Sequence, residues 1–465
     1  MSPRSILSAL TCILLALVSV SCSRTVEETT RADVVVIGAT GGGLAAALAA
    51  ARQGRSVVLV SYHEHLGTVS TRQMLNTFDL DRGVHGESVV RGIFLELYGK
   101  LGLTFDPYFA RTVYADIVAR EAGITVLYRT RVVNVLRTGQ LVTGVEVETT
   151  DADQGRPAHR RLLAPITIDA TDDADVAAAA GIAYHLGREG SGIDKAMQAT
   201  TLMFRLRGVN WTELVRDVVR REMPRKRAAI FQQYVWGYSA LVRKFQSGDP
   251  LVKALDLNIG RQPDGDVWVN SLQVFGVDGT DPASLEAGRA RAVSVMPAFV
   301  TFLRRTIPGF EGARLIETAP QLYVRETRHI FGVYKLTAQD IIREHNFWDR
   351  IAAADYPIDL HPYRPDDRNP FSPIRYRYTV PLRSLVPDGM DGLLVASRSF
   401  SATYEAAGSA RIEPTAMALG EAAGITAAVC FERDVTPLGL IARPELVRLV
   451  QQRLMAAGAA IEHAR

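Results

Sequence analysis

Two short stretches hold the side chains best suited to polar chemistry. One is Arg325-Glu326-Thr327-Arg328-His329; the other runs from Tyr404 and Glu405 to Arg411. If Tyr323 to Ile330 is a strand, alternation puts Arg325, Thr327 and His329 on one face and Glu326 with Arg328 on the other. One face would then line a pocket, with His329 as a proton acceptor, and the other would form structural ion pairs. A lone histidine serves equally well as a satisfied structural group. Arg325 and Arg328 suit an anionic or hydroxylated substrate, or a bridge between domains. Tyr404 and Arg411 stand in Ser397 to Arg411, which reads as a loop dense in small and polar groups.

Such groups need a rigid frame, and the N-terminal part supplies one. Asp33 to Arg52 reads as a buried apolar strand, a glycine turn and an Ala-rich helix, followed by Gly54 and a second strand at Ser56 to Val60. That order is the opening βαβ unit of a dinucleotide-binding domain: glycines let the backbone approach a pyrophosphate, and the helix N-terminus offers it free N–H groups. Gly38 and Gly43 hold the outer glycine places of G-x-G-x-x-G, Thr40 takes the middle one, and Gly41 and Gly42 are extra. The acidic residue expected about 20 positions on, to hold a ribose, is missing. Ser61 ends the second strand, and Glu64 in the next loop is the nearest carboxylate.

Downstream, Glu64 to Thr71, with Gly67, reads as a loop able to lie against a ligand; Pro107 to Ala122 reads as a helix and Gly123 to Tyr128 as a strand. Val132 to Leu136 and Val142 to Thr149 alternate like an antiparallel meander turning at Thr138-Gly139, and Ala164 to Asp169 is a buried strand. From about residue 181 the texture changes: all four tryptophans, 211, 236, 268 and 348, precede residue 384, with a helical pattern at Ala287 to Arg305. This predicts an α+β substrate domain, 181–384, inserted into a ligand-binding domain of 31–180 and 385–435, with a helical segment at 436–465. Gly187 to Gly192 follows no apolar strand and is not read as a second nucleotide site. Gly392 to Ala396 is again a buried strand, and Pro414 to Phe431 a helix with Pro414 in its first turn. Gly420 and Gly424 permit close packing of that helix, whose positive end is expected to face the same ligand as the glycine turn.

Lysine and arginine number 53 against 50 acidic residues, which gives no reason to expect a nucleic-acid partner. The run Arg220, Arg221, Arg225, Lys226, Arg227 reads as a solvated helix end. Residues 1–22 read as a signal peptide: Arg4 precedes the apolar stretch Ile6 to Val20, and Ser19-Val20-Ser21-Cys22 resembles a bacterial lipobox. The expectation is an exported protein held at the cell envelope by lipid on Cys22. Cys430 is then the one cysteine left, so neither an internal disulfide nor a cysteine-based metal site is expected.

Four segments in order carry a family likeness: the βαβ unit with His65-Leu66-Gly67, Ile168 to Asp175, Arg325 to Tyr334, and Leu393 to Gly424. With them the chain resembles the bacterial FAD-dependent oxidoreductases of the glutathione-reductase-like superfamily. The resemblance implies an α/β fold in which a parallel Rossmann-like sheet and an antiparallel β meander bind FAD. Gly38, Thr40 and Gly43, with Gly41 and Gly42, would face the pyrophosphate, and Ser61 would stand at the ribose position. Val132 or Val133 would lie beside the adenine, and Asp169 and Thr171 would close that end. Ser397, Arg398 and the turn before Pro414 and Thr415 would approach the ribityl chain and the isoalloxazine. This sequence departs from the family pattern at Ser61, in place of the ribose acid, at Ser397, in place of a glycine, and at Tyr404, in place of a histidine.

A reduced flavin carries negative charge that a helix N-terminus stabilises, and a cation at Arg411 would add to this. Lacking a cysteine pair, the mature chain cannot be a disulfide reductase. The expectation is hydride transfer between flavin N5 and a small organic molecule, with a separate electron acceptor or donor. Sugars, polyols, steroids and organic acids stay open as substrates. So do an NAD-dependent enzyme using the same turn and a non-catalytic flavin-binding surface protein.

Overall fold

Four consecutive apolar residues, Val34–Ile37, are fully buried and form the middle strand of a five-stranded parallel sheet. Such a sheet is covered on both faces, hence the unbroken apolar runs of its strands. Its order is Leu393–Val395, Ile166–Asp169, Val34–Ile37, Val57–Val60, Ile124–Leu127. The first of these in sequence therefore lies in the centre, and the chain leaves it in opposite directions. A cleft opens at the C-terminal ends of strands where the order reverses in this way. The computed structural model describes residues 28–81, 88–150, 157–225, 229–367 and 374–463. The leader, Cys22, Lys226 and Arg227 lie outside them; Arg221, within the described part of the basic run, is exposed and pairs with Asp217.

The helix Gly41–Arg52 is capped by Thr40, whose hydroxyl accepts from the Gly43 amide at 3.1 Å and donates to Ala170 O at 2.9 Å. Its partner is the long helix Glu413–Arg433, which meets it along small residues. A Cβ on Gly420 would lie 1.9 Å from Gly42 O, and one on Gly424 would lie 2.3 Å from Ala46 O. Gly420→Ala is therefore expected to force the two helices apart, with a loss of about 3 kcal/mol in denaturant unfolding and a fall in bound cofactor. The Glu413–Arg433 helix is long and apolar enough to cross a membrane, but it is buried along nearly all its length as a core element.

The expected meander is present. Thr130–Thr138, Leu141–Thr150 and Pro157–Leu163 are antiparallel, and Glu28–Arg31 adds in parallel to the last. A second core is built from residues between 202 and 322 together with Met74. Its sheet runs Ala229–Phe231, Tyr234–Gly237, Val252–Arg261, Val267–Val274, Phe204–Arg207, Arg314–Thr318, and the helix Pro282–Thr306 packs into the core with Val295, Met296, Phe299 and Leu303.

Two local expectations fail. Tyr323 to Ile330 is not one strand: Tyr323 bridges Thr201, and only Arg328–Ile330 pairs with Tyr184–Leu186. The backbone changes partner between these points, so strict alternation is lost. Ser397 to Arg411 is not all loop either, because Thr403 accepts from the Ala406 amide and starts a helix over Tyr404–Ala410.

Candidate active site

The turns that leave the parallel strands at their C-terminal ends converge. Gly38 follows one strand, Ser61 the next, Thr171 the third and Ser397 the fourth. Gly38, Thr40, Ser61, Thr171 and Arg398 line a cavity of about 480 Å³. It continues through Thr40, Asp172, Val324 and Arg398 into a narrow neck of about 40 Å³. Gly41, Gly42, Ser397 and Glu413 line this neck together with Asp79, Tyr323, Arg325 and Arg411. The last four also line a wider cavity of about 550 Å³ against the second sheet.

Close backbone approach makes the narrow part. At Gly38, φ is +96° and a Cβ would sit 2.5 Å from Ala170 O; at Gly42 it would sit 2.6 Å from Ala396 O. Buried cations then set the field. Arg398 donates from Nη1 to Val324 O at 2.8 Å and from Nη2 to Asp173 Oδ1 at 2.6 Å. Arg411 donates to the Tyr323 hydroxyl and to Asp359 Oδ2, both at 3.2 Å. Arg325 donates to Ala199 O at 2.8 Å and Thr201 Oγ1 at 2.7 Å, with its guanidinium over the Tyr323 ring. The Nε atoms of Arg398, Arg411 and Arg72 are buried without a partner, and all three residues line the cavities. Buried donors of this kind call for an acceptor. A dinucleotide with phosphates at its middle fits this set of donors and the two helix starts at Gly41 and Glu413.

Carboxyl groups near the neck are pushed toward neutrality. Burial, and then the nearby Asp359, raises Asp79 to about 6. Burial raises Glu413 to about 8, although the Ser70 hydroxyl lies 2.8 Å from both of its oxygens. His361, on the wall of the wide cavity, is lowered to about 4 by burial and then by Arg325, which keeps its imidazole neutral.

Several expected residues are placed as supports instead of linings. The Gly43 amide closes the Thr40 cap, and Gly67 donates to Ala39 O at 2.7 Å under the Tyr114 ring. Asp169 is fully buried, raised to about 7 chiefly by burial, and accepts from the Thr171 amide, the Thr171 hydroxyl and the Ala177 amide. Pro414 is buried in the first turn of its helix, while Ile412, Glu413 and Ala416 line the neck. Thr415 donates to Asp81 Oδ2 at 2.9 Å. Val133 stands at a bulge of the meander and lines none of these cavities, and exposed Glu64 pairs with Arg72.

Two expected catalytic residues are corrected. His329 Nε2 lies 3.0 Å from Glu326 Oε1, buried in the two-stranded ribbon and outside all three cavities. The pair expected on opposite faces thus meets, because Glu326 precedes the strand. Tyr404 sits in the first turn of its short helix, edge-on to Tyr363 at 5.9 Å, and lines none of the cavities. Arg325 and Arg411, by contrast, occupy the neck. Sequence reading missed Asp79, Asp256, Asp359, His361 and Glu413, although Asp359-Leu360-His361 is a visible acid–imidazole spacing.

The sequence matches the family model described as FAD dependent oxidoreductase over residues 33–454. The chain belongs to this family. It is an enzyme, and its cofactor is FAD. That sets aside the readings as an NAD-dependent enzyme and as a non-catalytic binder. No curated protein matches the sequence. Among solved structures, a geranylgeranyl bacteriochlorophyll reductase-like protein from Thermoplasma acidophilum is 11% identical, with 92% of this chain and 84% of that one covered and a TM-score of 0.43. A flavoprotein/dehydrogenase from Cytophaga hutchinsonii is 14% identical, with 87% and 80% covered and a TM-score of 0.43. In this oxidoreductase, Gly38, Thr40 and Arg398 line the 480 Å³ cavity, and Thr40, Gly41, Gly42, Ser397, Arg398 and Glu413 line the neck beside it.

Proposed function

We propose that this oxidoreductase removes hydride from a carbinol carbon of a small organic substrate held in the 550 Å³ cavity, and passes the electrons to a separate acceptor. The observation that carries the reading is the neck. Residues of the glycine turn and of the Glu413 helix meet Asp79, Tyr323, Arg325 and Arg411 there, where the 480 Å³ and 550 Å³ cavities share lining residues with the neck. Bound FAD supplies a two-electron carrier. Asp79 takes the hydroxyl proton as the C=O bond forms, and its raised pKa of about 6 suits a base that works near neutrality. Arg411 and Arg325 hold positive charge at the neck and orient the oxygen of the substrate.

In this reading the parallel sheet and meander form a glutathione-reductase-like FAD domain, and residues 181–384 form a substrate domain inserted into it. The apolar leader ending at Cys22 supports export and lipid anchoring. The test is anaerobic titration of the FAD-loaded enzyme with alcohols. Bleaching of the flavin by an alcohol, and little or none in Asp79→Asn, is expected; bleaching by NADH or NADPH alone would reverse the assigned direction. Replacing Cys22 by alanine should move the protein from the membrane to the soluble fraction. Equal partition of both forms would refute the anchor.

A further inference from the structure

The wide cavity also identifies a substrate class. We propose that it is a carbohydrate site, built for a neutral pyranose ring with its hydroxyls on a grid of fixed carboxylates and amides; this rests on the oxidoreductase reading above. Its floor is one face of the second sheet. Trp236 and Asn270 are the register partners of Asn258 on the two neighbouring strands, so the three form a row, and Asp256, two positions before Asn258, lines the same cavity. The floor is held rigid. Trp236 Nε1 donates to Asp256 Oδ2 at 3.1 Å, Asn258 Nδ2 donates to Asp256 Oδ1 at 3.3 Å, and the Tyr234 hydroxyl bonds Asn258 Oδ1. Asp79, Asp359, His361 and Arg411 stand on the other walls.

A pyranose presents vicinal hydroxyls, each donor and acceptor, around its edge, and an apolar C–H face above and below. Planar carboxylate, amide and guanidinium groups match the edge, and aromatic surfaces match the face. The cavity holds both kinds, the aromatic ones being Phe231, Tyr234 and Trp236 beside Tyr323 and Tyr356. A steroid would bury the polar floor without partners. An organic acid meets a wall whose three carboxylates, Asp79, Asp256 and Asp359, balance its three arginines. Of those arginines, Arg411 is already on Asp359 and Arg375 on Asp355. Asp79 and Asp256 share the wall with the third, Arg325, so a substrate anion finds no unopposed cation. A neutral ring meets no such cost.

The experiment uses the FAD-loaded enzyme and a panel of methyl pyranosides and free disaccharides, a hydroxysteroid, and two 2-hydroxy acids. Binding is read by calorimetry, and oxidation separately by anaerobic bleaching of the flavin. At least one pyranoside should bind, and Asn258→Ala and Asn270→Ala should each weaken that binding about tenfold while flavin content stays at the wild-type level. The class is overturned if no pyranoside binds, if only the steroid or the acids do, or if neither substitution changes the sugar affinity. Sugar binding that both substitutions weaken, with no bleaching, would uphold the carbohydrate site and count against hydride removal. Bleaching by the steroid or an acid, without sugar binding, would do the reverse.

Discussion

Asp79→Asn lowers kcat/KM by about 10²–10⁴-fold and removes the acid limb of the pH profile; this is the largest effect expected of any single substitution. The carboxyl lines both the neck and the wide cavity, half-buried, with the Tyr356 hydroxyl bonded to it. Burial and Asp359 raise its pKa to about 6, against the pull of Arg411 and Arg325. As a base it must be ionised, so activity should be level above pH about 6 and fall about tenfold per pH unit below it. Steady-state rates with an artificial dye acceptor across this range supply the check. His361 gives the contrasting outcome. With a pKa lowered to about 4, it would as base keep the plateau about two units further into acid, in Asp79→Asn as in the wild type.

Where a geometric demand falls on residue size, the sequence displays it. Gly38 at positive φ, Gly42 under Ala396 O and Gly420 against Gly42 O are positions where a Cβ has no room, and each could be noticed as a glycine in context. The four turn residues at the strand ends were legible for the same reason, since a strand–turn–helix order fixes where a turn points. The proton-handling side chains follow a different logic. Asp79 has no periodic neighbours to mark it, and it reaches the neck only because the chain after Gln73 crosses to the second sheet, where Asn76 donates to Gly260 O at 3.1 Å. Asp359 acquires its meaning from Arg411, 52 residues away. His329 shows the opposite error. It looked exposed to a pocket on strand periodicity, but the backbone bridges Thr201 at Tyr323 and the Tyr184–Leu186 ribbon only from Arg328, and this turns Glu326 onto it. Tyr404 was drawn out of the loop by a Thr403 cap that the sequence does contain.

Arg411→Gln should lower the midpoint potential of the bound flavin by about 30–60 mV, equivalent to about 1.4–2.8 kcal/mol for a two-electron couple, and lower kcat/KM roughly 10-fold to 100-fold. The guanidinium is buried at the neck, where it is poorly screened. A unit charge acting over about 5 Å at an effective dielectric constant of about 20 contributes about 3 kcal/mol, enough for the whole shift. Removing it takes stabilisation from the electron-rich state of the cofactor and leaves Asp359 without the Arg411 partner it has at 3.2 Å. That second effect would depress stability without touching the potential, so the two must be separated. Arg411→Lys keeps the charge but not the fork that holds Tyr323 and Asp359, and should recover most of the potential and little of the rate. Asp359→Asn combined with Arg411→Gln removes the carboxylate that has lost Arg411 and should recover melting temperature but not the potential lost to the missing cation. A spectroelectrochemical titration of the set decides the matter: a potential in Arg411→Gln equal to that of the wild type would leave Arg411 as a packing and positioning group, with the charge at the neck supplied by Arg325 and Arg398 alone.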